Sequence, residues 1–597
     1  MKKTGFAPVL VFALFAPGVC AAADSASQRL ERLAAEAYER TLDLFPVAET
    51  FGRGAGPRQD RLELIFTAEH RERQRAHHRW VLKELDGISA AELGPSEKLT
   101  HELLDYRARQ ALQWLAHPFH QHSVFIHLDG GVAFNLVQLV GRQPFRSEAD
   151  YHAWFRRLQR YPALLEAVAA VMREGSAAGM TTPRVLVERT VSQLEALAPE
   201  DMAQSSLWKP MAQFPASIDA GARGRIEAEY RRLLAEEIFP AIRRLAAFAR
   251  QDYLPSARVS DGFGALPDGE RLYRHAVRSE TTTDLTAEAI HDLGLKEVKR
   301  IQAKFLAAGE KAGFKGSVSG VRRWLQTNPD NYPFRSSEHV IEYLNVLHAR
   351  IVPQLPKLFA RLPKAHFEIR LTDPTIAASA PAQYYAPSDD GRPGIFAMPV
   401  INPRRVSSFG LAALLAHEGM PGHHLEFGIK ALNKVPEFRR RLWFNAYGEG
   451  WALYAEFLGH ELGLYEEPLA LMGRYSYELF RAGRLVVDTG LHAKGWSREK
   501  AIRYLVEECG STEAGATNEV LRYMAWPGQA LGYKIGELTI LELRAQAERR
   551  LRRRFDIRAF HDAVLEEGPL PLSMLKQRME AWIVEQERRP QATLLRF

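Results

Sequence analysis

The chain has 597 residues, 46% hydrophobic and 25% charged, which supplies a large core and excludes a disordered or fibrous chain. Its 79 Lys and Arg against 72 Asp and Glu leave a formal charge of +7. Because the two signs are interleaved, that balance excludes nucleic acid as the organising partner. Two cysteines exclude a disulfide framework.

The first stretch, MKKTGFAPVLVFALFAPGVCAAADS, has two lysines, an apolar run too short for a comfortable membrane span, and small residues around a cleavage site near Ala23. It reads as a signal peptide over residues 1–23, making the mature chain periplasmic or secreted, without stable membrane insertion. Cys20 follows Pro17, Gly18 and Val19, a poor lipidation context. Cleavage removes Lys2 and Lys3, taking the charge from +7 to +5, and leaves Cys509 without an intramolecular partner.

From Ser25 to about Ala116 apolar residues recur at three- and four-residue spacing, which predicts helices. His77 and His78, among arginines and glutamate, are expected to be solvated. The next segment, FHQHSVFIHLDGGVAFNLVQLVG, reads as a loop packed against a cleft. His120, His122 and His127 in it lack a further ligand at a recognisable spacing. Helices resume at about Ser147 and include Arg225 to Phe248 and Thr286 to Ala308, the last capped by Thr283 or Asp284. His291 there is expected to be structural.

Around Phe367 the pattern changes. FEIRL alternates, and GIFAMPVI is a β-prone run after a Gly-Arg-Pro-Gly turn, so both are expected as strands of a small sheet, with Tyr384 and Tyr385 in the loop between them. Leu411 to Phe427, LAALLAHEGMPGHHLEF, then delivers His417 and Glu418 on an apolar helix. Neutral imidazoles hold Zn2+, and a neighbouring carboxylate can take a proton from water beside the metal. At about 100° per residue, a straight helix puts His423 roughly 120° from His417 and His424 within roughly 20° of it, which favours His424. Pro421 and Gly422 oppose a straight helix, and a kink would swing His423 back. The third ligand is expected from YGEGWALYAE, where Glu449 and Glu456 share one face of an otherwise apolar helix.

Farther on, Asp488 and His492 lie four apart on one helix face, as a pair orienting a ligand or with His492 steadying the reacting carbonyl oxygen. Tyr523 and Tyr533 are the candidates to face an oxyanion, and Arg522 and Lys534 to bind a substrate carboxylate. Arg549 to Arg554, RRLRRR, reads as a solvated face.

HEGMPGHH resembles the H-E-x-x-P-G-H motif of a large bacterial family, long labelled a domain of unknown function and grouped with the gluzincin metallopeptidases, such as those of thimet oligopeptidase and carboxypeptidase Taq type. The resemblance extends from about residue 30 to the C-terminus, through GSAAGMTTP, LPDGERLYRHAVRSETTT, YYAPSDDGRPGIF, EGWALYAE, VVDTGLHAKGWS and RYMAWPGQALGYKIG. It implies His417, His423 and Glu449 as zinc ligands, Glu418 as base, and His424 at a variable position. It also implies an edge strand at Ile395 to Pro399 that pairs with extended substrate, which brings in Phe396 beside Tyr385 as substrate-binding residues.

These readings combine into a mostly α-helical, two-lobed fold with a small sheet beside the zinc helix and a central cleft. A helical half over residues 24–330 is continuous with a catalytic half over 331–597. The expected function is a one-zinc metallopeptidase acting on short peptides, of oligopeptidase or carboxypeptidase type. A zinc hydrolase of another amide, such as one in a cell-wall fragment, and a metal-binding protein with four protein ligands, drawing on His424 or Glu456, are the alternatives.

Overall fold

In a computed structural model, residues 24–117, 131–372, 382–389 and 391–589 are described, and helices make up most of them. The expected signal peptide and His120, His122 and His127 lie outside these residues. Among the described residues no helix is long and apolar enough to cross a membrane.

The first helix, Ala26–Leu44, begins at a capping box in which Ser25 and Gln28 exchange hydrogen bonds, and it buries Leu30, Leu33 and Ala37. The apolar cluster it joins runs to Ile583 and includes the helices around the site. A second cluster is confined to residues 136–257. His77 corrects the expectation of a solvated pair: it is buried, with Nε2 3.3 Å from Thr41 Oγ1, and His78 is half-buried beside it. Their helix is covered by neighbours on both sides, which the surrounding charges did not reveal.

Nine helices frame the site and are numbered here in chain order: α1 (Pro95–Leu115), α2 (Gly269–Thr281), α3 (Ala287–Lys311), α4 (Leu411–Glu418), α5 (His423–Leu432), α6 (Asn445–Leu458), α7 (Pro468–Ala493), α8 (Glu513–Ala525) and α9 (Gly532–Leu551). Thr286, rather than Thr283 or Asp284, caps α3, its side chain accepting from Ala289 N. His291 on α3 is buried against Thr489 of α7, Nδ1 to Oγ1 2.8 Å, as expected of a structural residue.

A three-stranded sheet precedes α4: β1 (Phe367–Leu371), β2 (Gln383–Tyr385) and β3 (Gly394–Met398), in the order β1-β3-β2. β3 pairs parallel with β1, Ile369 opposite Phe396, and antiparallel with β2, Tyr384 opposite Phe396. Two expectations change. The tyrosines expected in a loop form a third strand, and the strand expected at the edge is central. Both backbone edges of β3 are therefore taken, and Phe396 is fully buried in the core.

Candidate metal centre

The eight residues of α4 are all buried, so the helix is held on every side and ends at a fixed point. It stops at Gly419, and a new helix, α5, starts at His423 after a cis Met420–Pro421 peptide. Gly422 is required there: a Cβ on it would lie 1.9 Å from the His417 carbonyl oxygen and 2.4 Å from that of Ala416. Trp451 Nε1 donates to Pro421 O at 3.0 Å and pins the break to α6.

This break decides which histidine meets His417. His417 Nε2 lies 3.5 Å and His423 Nε2 3.4 Å from Glu449 Oε2, and among the described residues these three are the group able to hold a metal ion. His424, which a straight helix favoured, is buried facing the sheet. Its Nδ1 is 3.0 Å from Tyr384 Oη and its Nε2 3.1 Å from Ala365 O.

Glu449 reaches the histidines because α6 lies backbone to backbone on α9: a Cβ on Gly450 would come within 2.4 Å of Gly536 Cα. Glu456, two turns along the same face, is not in the ligand group but behind it. Its Oε1 is 2.9 Å from His417 Nδ1, which fixes the ring with Nε2 towards Glu449. Arg481 stands 3.3 Å from the same oxygen. Glu426 occupies a comparable place for His423, with Oε2 3.8 Å from Nδ1, and neither Glu426 oxygen has a hydrogen-bond partner. Sequence reading missed Glu426, although it lies three residues from His423 on one helix face.

The set fits zinc. A tetrahedral ion with bonds of about 2.0–2.1 Å separates its ligand atoms by roughly 3.3–3.4 Å, close to the observed spacings and longer than a good N–H···O hydrogen bond. Glu449 Oε2 is buried without any hydrogen bond. Burial opposes ionisation of all three groups, but attraction among them and to the carboxylates behind them prevails: it holds Glu449 well below the usual carboxylate range, His423 well above the usual imidazole range through Glu426 and Glu449, and His417 raised through Glu449 and Glu456. Metal entry would therefore release protons.

Glu418 is buried at the end of α4, and burial pushes its carboxyl above the ordinary value. With the triad it lines a cavity of about 620 Å³, to which Arg107, Glu280, Tyr385, Arg522 and Tyr533 also contribute. Tyr533 stacks on His417, ring centroids 6.3 Å apart, and its hydroxyl lies 3.4 Å from both Arg522 Nη2 and Gln529 Nε2. β2 lines the same cavity.

Other candidates lie elsewhere. The Tyr523 hydroxyl is buried off the cavity and accepts from Arg484 Nε at 3.1 Å. His492 accepts from Phe263 N through Nδ1 at 3.0 Å, and its Nε2 meets Tyr523 O at 3.0 Å. Asp488 does not pair with it but takes Tyr273 Oη at 2.6 Å. Both hold helices together away from the cavity lining. Lys534 is fully buried, Nζ 2.5 Å from Glu537, 2.7 Å from Glu478 and 3.3 Å from Glu297, joining α9, α7 and α3. Lys534→Ala leaves these buried carboxylates to Arg300 and Arg474 alone and is expected to cost about 3 kcal/mol in denaturant unfolding. A stable variant with only a raised KM would restore the substrate-binding role.

The family model described as "Bacterial protein of unknown function (DUF885)" matches residues 46–579. Among solved structures the chain is similar to "the putative lipoprotein from Colwellia psychrerythraea", at 28% identity and TM-score 0.88, over 94% of this chain and 100% of that one. It is also similar to "a putative lipoprotein of unknown function from Shewanella oneidensis", at 18% identity and TM-score 0.70 over the same shares, a likeness of fold alone. No curated protein matches the chain.

Proposed function

The chain belongs to that bacterial family of unknown function, and we propose that it is a zinc-dependent metallopeptidase of gluzincin type, acting on short peptides outside the cytoplasm. The observation that carries the reading is the triad of His417, His423 and Glu449, both imidazoles at tetrahedral-ligand distance from the Glu449 oxygen, with Glu418 beside it in one cavity. His424 and Glu456 are each committed to other partners, which counts against a closed site of four protein ligands. The family's H-E-x-x-P-G-H pattern, met here by His417 to His423, supports the same reading. Export is supported by the N-terminal signal pattern and by the description of the Colwellia psychrerythraea relative as a "putative lipoprotein".

His417, His423 and Glu449 would hold the ion, with Glu456 orienting His417. When bound, zinc supplies a Lewis acid that polarises a carbonyl and acidifies water. Glu418 takes the proton of the attacking water and hands it to the leaving amine. Tyr533 donates its hydroxyl to the developing oxyanion, a bond worth more in the transition state than in the ground state. The backbone-pairing role expected of Ile395 to Pro399 passes to β2, which faces the cavity.

The test is hydrolysis of a mixed peptide library by the purified mature protein, read by mass spectrometry. Cleavage is expected with zinc, to stop on chelation and to return on adding zinc. Tyr533→Phe is expected to lower kcat by about 10- to 100-fold, whereas Tyr523→Phe leaves it within about twofold. A zinc-loaded protein that cleaves nothing in the library removes the peptidase reading.

A further inference from the structure

The cavity holds a carboxyl group for which the hydrolysis has no use. Glu280, next to last on α2, lines it together with Ser279. Its Oε1 accepts from Trp526 Nε1 at 3.0 Å, and Asn445 hydrogen-bonds to it as well. Both donors are neutral, and no Lys, Arg or His among the described residues forms an ion pair with it. Even half-buried at the cavity wall, a carboxylate whose partners are all neutral is held there at a cost. Burial accordingly pushes the Glu280 carboxyl up to about 7. A cation arriving with the substrate would relieve that cost.

The distance to the metal centre is set by α6. Asn445 contacts Glu280, and Glu449 follows four residues later on the same face, about 6 Å along the helix. One residue of extended peptide spans about 3.5 Å. An ammonium held at Glu280 therefore brings the first or second carbonyl of its own chain towards the triad.

Resting on the hydrolase reading above, we infer that Glu280 binds the free α-ammonium of the substrate, so that the site reads the amino end of a short peptide and cleaves within its first two residues. The arginines of the lining, Arg107 and Arg522, are the basis of the competing outcome, in which the carboxyl end is read.

The experiment compares three tetrapeptide libraries of the same composition: free at both ends, acetylated at the amino end, and amidated at the carboxyl end. Cleavage by wild type and Glu280→Gln is followed by mass spectrometry, and zinc content and Tm are checked on both. Glutamine keeps an acceptor for Trp526, so folding is expected to survive. Wild type is expected to prefer free over acetylated amino ends by about 10- to 100-fold in kcat/KM, the worth of a hydrogen bond between charged groups, and Glu280→Gln to bring that ratio close to one. An unchanged preference in Glu280→Gln, or a wild type that tolerates acetylation and rejects amidation, overturns the assignment. Binding of the free and acetylated libraries to Glu418→Gln protein, by saturation-transfer NMR, separates the two claims. Amine-dependent binding without hydrolysis in wild type removes the peptidase and keeps the anchor; amine-independent binding removes the anchor whatever the hydrolysis result.

Discussion

Glu418→Gln is expected to lower kcat on peptide substrates by about 10²- to 10⁴-fold, the usual worth of a positioned general base, while zinc content stays near one per chain. The reason is its place. Glu418 closes α4 one residue after His417, and the buried helix fixes its direction. No hydrogen bond or ion pair among the described residues engages its side chain, which lines the cavity with the triad. It is outside the ligand group, so replacing it leaves the three donor atoms in position. Glutamine has nearly the same shape and cannot accept the proton, which confines the loss to chemistry. KM should move little, because binding to the cavity walls is unchanged. Metal analysis and steady-state kinetics on the same preparation check this, and a variant that keeps both zinc and kcat would remove Glu418 from the reaction.

The parts of this site legible in the sequence are those carried by local pattern. His417 and Glu418 are adjacent, and Glu449 stands out as a carboxylate in an apolar helical run. What failed depended on geometry beyond a few residues. The rule of about 100° per residue holds within one helix, but Gly419 to Gly422 separate two helices, so it carried no information from His417 to His424. Strand β2 spans three residues, too few to display alternation, and without it the central position of β3 could not be foreseen. Arg522 and Tyr523 are neighbours that point to opposite sides of α8, one to the cavity and one into the core. Lys534 was expected to bind a substrate carboxylate; Glu537, three residues on, was visible beside it, but its other two partners, Glu297 and Glu478, lie on α3 and α7. Glu280 had no local signal: its importance comes from α2 packing beside α6.

The largest loss of metal is expected from His423→Ala, which should take zinc from about one per chain to nearly none at micromolar total zinc, while His424→Ala retains it. Three protein ligands are the minimum for a tightly held catalytic zinc, and deleting one leaves two donors and two empty positions. His424, despite adjoining a ligand, spends both ring nitrogens on Tyr384 and Ala365. Its removal loosens the sheet against α5 and is expected to cost stability, about 1–3 kcal/mol for buried hydrogen-bonding groups left unpaired, without changing metal stoichiometry. Tyr384 should respond with it, since the ring it leans on is gone. The two variants therefore separate by metal content: His423→Ala loses zinc, and its metal-free form is expected to lose stability as well because Glu426 and Glu449 lose an imidazole partner, whereas His424→Ala loses stability with metal kept. If His424→Ala is the variant stripped of zinc, α5 does not begin where it is described and the metal centre must be built on the other histidine.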